Sequence, residues 1–232
     1  MSDDAREKAR DAYVYGLPFL SLYRLFISQA ATGGPVMMGA GFNEFFHRRE
    51  VMEATMTDTS QQDTLYSAAV LDLRREPMVL SVPDVADEHV YMIQIVDTST
   101  ETLPYVSTLT TGNRARTVAL VGPDFQGQLP TDGLDEVIAS RGRYLAFGGR
   151  TAVLDPDDLA PLHEIQDGFE LRPLSEFAGT DVPPEPPDPR FVPWDPEKAA
   201  GIGSLDYVAM ALAWISWSGA RSSGSSTAVR PP

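Results

Sequence analysis

The sequence predicts an α+β, mainly β fold: an antiparallel β-sandwich or barrel-like domain with an N-terminal kinked helix pair and one or two C-terminal helices. Three observations carry this. From Asp63 the apolar residues recur at a period of two, in short runs divided by turn residues with no helical pattern between them. The first 30 residues and residues 204–217 follow helical spacing instead. Hydrophobic residues make up 43% of the 232 and charged residues 22%, which suits a globular chain and excludes a disordered, collagen-like or coiled-coil one.

In chain order, Asp3 or Asp4 is placed to cap a first helix. Gly16 and Pro18 then interrupt it, since proline lacks the backbone donor and crowds the preceding turn. Phe19, Leu22, Tyr23 and Phe26 resume the helical spacing, giving a kinked helix or hairpin. Residues 31–62 are rich in Gly, Met and Thr and lack a period, so they read as loop with a helical turn near 42–48. Strands follow over 65–73, 78–82, 90–96, 105–111, 117–121 and 144–153. Arg75-Glu76-Pro77, Pro83-Asp84, Thr111-Gly112-Asn113 and Gly122-Pro123-Asp124 supply the turns between them.

A second helix is signalled by Asp155 as cap, Pro156 at the first helical position, and a face of Leu159, Leu162, Ile165, Gln166 and Phe169. The run Val182-Pro-Pro-Glu-Pro-Pro-Asp-Pro189 is a stiff extended linker. The predicted organisation is an N-terminal helical segment (1–30), a β-rich core (31–178), a Pro-rich linker (179–200), a C-terminal helix (201–218) and a disordered tail (219–232).

Charge narrows the function classes. Asp and Glu number 33 against 18 Lys and Arg, a net charge of −15, and nucleic-acid affinity rests on cations that neutralise phosphates. Nucleic acid is therefore not an expected partner. The chain has no cysteine, which excludes disulfides, thiolate nucleophiles, Fe–S clusters and zinc ribbons. Its acidic Met1-Ser2-Asp3-Asp4 start lacks the order of a signal peptide. The most apolar window, residues 207–217, is short of the roughly 20 residues that span a bilayer, so the expectation is a cytoplasmic protein with no membrane partner.

Three histidines are available, and no two lie at metal-ligand spacing. His163 reads as a helix-surface residue and His89 as a strand-edge residue beside Asp87-Glu88. His47, in Asn43-Glu-Phe-Phe-His47, lies among Phe42, Phe45 and Phe46, a setting that would keep its imidazole neutral. It serves either as a base or metal ligand in a pocket or as a satisfied structural group. Asp63 and Tyr66, at the head of the longest strand, either cap a turn or project from a rim as acid, base or donor. Asp97 shares the register of Tyr91 and Ile93, so a buried carboxylate there needs a partner. His47, Asp63 and Tyr66 are the candidate catalytic residues, with Asn43, Thr64 and Asp97 as candidate substrate-binding residues; no metal or cofactor is specified. Nucleophile-elbow, phosphate-loop, dinucleotide and EF-hand motifs are all missing from the sequence.

The ordered series Asp11-Ala-Tyr-Val-Tyr-Gly16-Leu-Pro18, Phe46-His47-Arg48, Asp63-Thr-Leu-Tyr-Ser67, Leu71-Asp72-Leu73, Val79-Leu-Ser-Val-Pro83, Thr110-Thr-Gly112, Gly149-Arg150-Thr151 and Trp194-Asp-Pro-Glu-Lys198 resembles the domain of unknown function 1254 family. The resemblance implies a β-rich domain, often followed by a second domain of unknown function 1214. This chain departs from the family pattern at Gln61, at Ser99, Thr100 and Glu101 after Asp97, and at Leu109 before Thr-Thr-Gly. Its course after Tyr207 also differs, which suggests either a shortened or frame-shifted product or a single-domain member with a floppy tail.

Two functions follow. One is a small-molecule enzyme of hydrolase or lyase type, with His47, Asp63 and Tyr66 in a pocket at one end of the β-domain. The other is a non-catalytic ligand-binding domain, or the inactive remnant of a two-domain protein, with an exposed apolar patch near Trp214 and Trp217. Expected partners are a small-molecule ligand and either a second copy of the chain or the missing second domain.

Overall fold

The structure is a computed structural model that describes residues 2–32, 40–53, 61–189 and 191–215. The expected disordered tail, Trp217 and residues 33–39 lie outside these. Helix α1 (Asp3–Leu22) runs into a π-helical turn (Tyr23–Ile27) and α2 (Ser28–Thr32). Then come β1 (Phe45–His47), β2 (Thr64–Asp72), β3 (Met78–Val82), β4 (Tyr91–Asp97) and β5 (Val106–Ser107). A helical turn α3 (Thr108–Thr111) leads to β6 (Arg116–Val121), β7 (Glu136–Ala139) and β8 (Tyr144–Ala152). Helix α4 (Ala160–Asp167), β9 (Glu170–Pro173), α5 (Leu174–Ala178), α6 (Pro196–Ala199) and α7 (Ser204–Leu212) complete the order.

The strands form two sheets, β1-β2-β8-β4-β5 and β7-β6-β3-β9, that do not close into a barrel. Every pairing is antiparallel except β6 with β7. Between the sheets lies one core. Leu65, Leu71, Ile93 and Phe147 come from the first sheet and Met78, Leu80, Val118 and Leu120 from the second, with Leu162 and Ile165 of α4 at one side. The opposite face of the first sheet carries a second core, in which Ala68, Val70, Tyr144 and Ala146 meet Phe19 and Tyr23 of the N-terminal helix and Tyr207, Val208 and Trp214 from α7 and beyond. The first sheet is therefore apolar on both faces over its C-terminal half of β2, where residues 67–71 are all buried. The fold is α+β and mainly β: a two-sheet sandwich with a helical layer on one side.

The N-terminal helix does not break at Gly16 and Pro18. Pro18 sits inside α1, and its lost hydrogen bond is offset by burial of the flanking Phe19, Leu20 and Leu22. Gly16 is a contact, not a breaker: a Cβ there would lie 2.3 Å from Val208 Cγ2, so the glycine lets α1 and α7 approach. Irregularity falls at 23–27 instead. The wider π turn buries both Tyr23 and Ile27, and Tyr23 donates to the Val192 carbonyl at 2.5 Å. The cap is Ser2, whose Oγ accepts from the Ala5 N–H, while Asp3 and Asp4 occupy the first turn.

Four strands depart from the sequence reading. Of the strand expected over 105–111 only β5 forms, because the Ser107 side chain accepts from the Leu109 N–H and starts α3. Residues 45–47 form edge strand β1 where a helical turn was expected, because Phe45 enters the inter-sheet core while Phe46 faces the other way. β7 and β9 are short pieces stabilised by their neighbours β6 and β3. The predicted cap at Asp155 makes an Asx turn, accepting from the Asp157 N–H, and the helix starts at Ala160 with Pro161 in its first turn. The Pro-rich stretch is extended and fastened: Arg74 and Arg75 donate to the carbonyls of Pro187 and Pro183. Trp214 is buried at 8% exposure, so the apolar patch expected around it is absent at that residue. Among the described residues, no helix is long and apolar enough to cross a membrane.

Candidate ligand cleft

Register in the first sheet decides which candidate residues meet. Phe46 pairs with Ala68, His47 with Ser67, and the Arg48 N–H continues the ladder to the Tyr66 carbonyl at 2.8 Å. Tyr66 in turn stands opposite Arg150 on β8, and Ala68 opposite Gly148. Successive residues point to opposite faces of a strand. Phe46, Arg48, Tyr66, Ala68, Gly148 and Arg150 therefore share the face toward the N-terminal helix, and His47 and Ser67 share the face toward the second sheet.

On the helix side these residues line a cleft of about 60 Å³, closed by Phe26 of the π turn and by the buried Met52. Gly148 forms its floor, and a Cβ built there would meet nothing within 4 Å. The walls are apolar apart from the Arg48-Tyr66-Arg150 row. The Arg150 guanidinium lies over the Tyr66 ring, 5.4 Å from its centroid, and Tyr66 Oη accepts from the Gln61 N–H at 3.1 Å.

Facing the second sheet, His47 Nδ1 is 2.9 Å from Ser67 Oγ, and Gln166 Nε2 donates to the same oxygen at 3.2 Å. Phe45 stacks on the imidazole with centroids 5.2 Å apart. Burial, and then the charge of Arg49, pull the His47 pKa down from 6.5 to about 4, against a smaller opposing effect of Asp167. A pKa this far down favours the neutral imidazole near pH 7. Its neighbours tie β1 to α4: Arg49 pairs with Asp167 and donates to the His163 carbonyl, and His163 Nε2 lies 2.8 Å from the Arg49 carbonyl.

The six candidate residues thus separate into distinct surroundings. Tyr66 is in the cleft, while His47 is on the other side of the sheet. Asp63 is exposed just before β2, and its carbonyl accepts from the Val153 N–H. Thr64 shares Tyr66's face, with Oγ1 buried and without a hydrogen-bond partner among the described residues. Asn43, at φ 66°, braces β2: its Oδ1 accepts from the Asp72 N–H at 2.8 Å. Asp97 is 0% exposed, and its Oδ1 accepts from the Ser99 N–H, the Ser99 hydroxyl and the Glu101 N–H, closing the turn after β4.

Arg48, Arg150 and Gly148 were missed. Alternation along 64–72 and 144–152 places Tyr66 and Arg150 on outward faces, but only the strand register puts them side by side. A larger groove of about 380 Å³ opens between β2 and α5. Two of its acids are already engaged, Asp72 with Arg74 and Glu76 with the Ser175 N–H and hydroxyl, while the third, Glu176, is exposed. Among the described residues no group of three or more His, Cys, Asp or Glu could hold a metal ion.

A helix-backed, two-sheet sandwich with a small cleft on its helix-facing sheet is the class defined by this geometry. The family described as protein of unknown function (DUF1254) matches residues 42–173, and the chain belongs to it. No protein of curated function matches. The crystal structure of the VPA0106 protein from Vibrio parahaemolyticus is similar at a TM-score of 0.70 and 26% identity, over 90% of this chain and 46% of that one. An uncharacterised protein from Burkholderia cenocepacia aligns over 93% of this chain and 52% of its own, with 16% identity and a TM-score of 0.38. The chain spans about half the length of these solved relatives.

Proposed function

We propose that this domain is a non-catalytic binding module for a small molecule seated in the cleft between the first sheet and the π turn. One observation carries the reading: Gly148 leaves the floor open, while Phe26, Phe46, Met52 and Ala68 supply an apolar enclosure. The volume suits a ligand burying about four to six heavy atoms, since a water-sized group takes roughly 10–15 Å³ by this measure. The enzyme alternative needs a proton-transfer group within reach of Tyr66. His47, the best candidate for it, lies across the sheet, and Asp63 is exposed to solvent. We further propose a cytoplasmic setting, in which a small ligand and a second domain or second copy of the chain are the partners.

The test is an amide-resolved NMR titration of the full chain with alcohols, amides and carboxylates of about three to six carbons. Saturable shifts centred on Phe46, Tyr66 and Gly148 support the reading. Shifts confined to other regions, or none, overturn it.

A further inference from the structure

We infer that the ligand of this cleft is a short-chain carboxylate, held between Arg48 and Arg150; the inference rests on the binding reading above. Arg48, Tyr66 and Arg150 lie in one row across three adjacent strand positions. With roughly 4.8 Å between neighbouring strands, the two arginine backbones stand about 10 Å apart. The Arg150 guanidinium lies over the intervening Tyr66 ring, and Arg48 lines the same cleft from the other side of that ring's strand.

Neither arginine forms an ion pair or a side-chain hydrogen bond among the described residues. Nearby chain chemistry makes this unusual. Acidic side chains outnumber basic ones 33 to 18, and Arg49, Arg74, Arg116 and Arg143 each pair with a carboxylate. Moreover, Arg150 Nε is buried and has no acceptor among the described residues, a costly state for a charged donor. A guanidinium presents its N–H groups in a planar fork that matches a carboxylate.

The rest of the lining selects among anions. Inorganic phosphate is hydrophilic on every side and would lose hydration against Phe26, Phe46 and Met52. A short carboxylate has one charged end for the arginines and an apolar end for those walls. The chain's net charge of −15 opposes an anion at long range, but physiological salt screens charges beyond about 8 Å. Within the cleft the arginines are the nearest charges.

Calorimetric and NMR titration with isobutyrate, its neutral isostere isobutyramide, and inorganic phosphate tests this on the full chain. Isobutyrate is expected to bind at least about tenfold more tightly than the amide, and phosphate not to compete. Arg150→Gln is expected to weaken isobutyrate at least about tenfold while leaving the amide unchanged. Gly148→Val, which fills the floor and keeps both arginines in the chain, is expected to abolish both. Equal binding of acid and amide overturns the carboxylate assignment and leaves the cleft reading standing. Binding that survives Gly148→Val, or no binding by either compound, overturns both. Should Arg150→Gln fail to fold, Arg48→Gln and the acid-to-amide ratio carry the same test.

Discussion

Tyr66 and Arg150 face each other across β2 and β8, with the guanidinium carbon 5.4 Å from the ring centroid. The ring does more than fill space, because its face lies beneath the arginine's charge while its hydroxyl accepts from the Gln61 backbone. Removing the ring should release Arg150. Tyr66→Leu is expected to lower unfolding free energy by about 1 kcal/mol, and Tyr66→Phe by about half as much, through the hydroxyl alone. Urea unfolding of the two variants checks the order. Equal losses would place the stabilisation in the hydroxyl rather than in the stacked cation.

The His47 imidazole makes a second expectation. Its pKa falls from 6.5 to about 4 on folding, chiefly through burial. Above the unfolded value both states hold it neutral, and it contributes no pH dependence. Between the two values the unfolded chain takes up a proton that the folded chain refuses, so stability declines as pH falls through that window and levels off below about 4. His47→Gln keeps an acceptor for Ser67 and cannot titrate. Its unfolding free energy should therefore fall less than the parent's between about pH 7 and about pH 4.5, by on the order of 2 kcal/mol after allowance for solvent screening. Parallel curves for parent and variant would sink the assignment.

Asp97 was legible in the sequence as a buried carboxylate in need of a partner, and it finds three donors on one oxygen: the Ser99 N–H and hydroxyl and the Glu101 N–H. Those donors hold the turn in which Thr100 adopts φ 64°. Asp97→Ala should cost about 2–3 kcal/mol, because it orphans several donors at once. Asp97→Asn keeps the accepting oxygen and should cost less than half of that. Thermal unfolding separates them, and a harmless Asp97→Ala would show that the turn holds itself.

The strands of the central sheet could be read from their period because each has one face in the inter-sheet core, where Leu65, Ile93 and Phe147 alternate with less buried neighbours. Where the helical layer covers the other face, alternation fades, and Ala68 and Val70 look no different from the core residues beside them. β1, β7 and β9 were not legible. Three or four residues carry too little pattern, and each takes its shape from a long-range neighbour. The same holds for the site. His47 and Tyr66 were separable only once pairing fixed which face each occupies, and a one-residue change of register exchanges the faces. Gly16 misled for a related reason, since its role is to admit Val208 from a helix nearly two hundred residues away.

Gly148 and Gly149 are neighbours whose substitution should have opposite results. A Cβ at Gly149 would lie 2.9 Å from both Ser67 Cβ and the Ser67 carbonyl oxygen. That carbonyl belongs to the β2–β8 ladder and cannot move without loosening the pairing. Ser67 also holds His47 and Gln166, so a shift would disturb the link to α4 as well. Gly149→Ala is expected to cost about 1–3 kcal/mol, as overpacking does in cores. Gly148 points the other way, into open space. There alanine meets nothing and removes conformational freedom from the unfolded chain, so Gly148→Ala should stabilise by about 0.4–1 kcal/mol. Denaturant unfolding of the two single variants checks the contrast. A loss at 148 similar to that at 149 would mean that the cleft floor is closed, and the binding reading would fail with it.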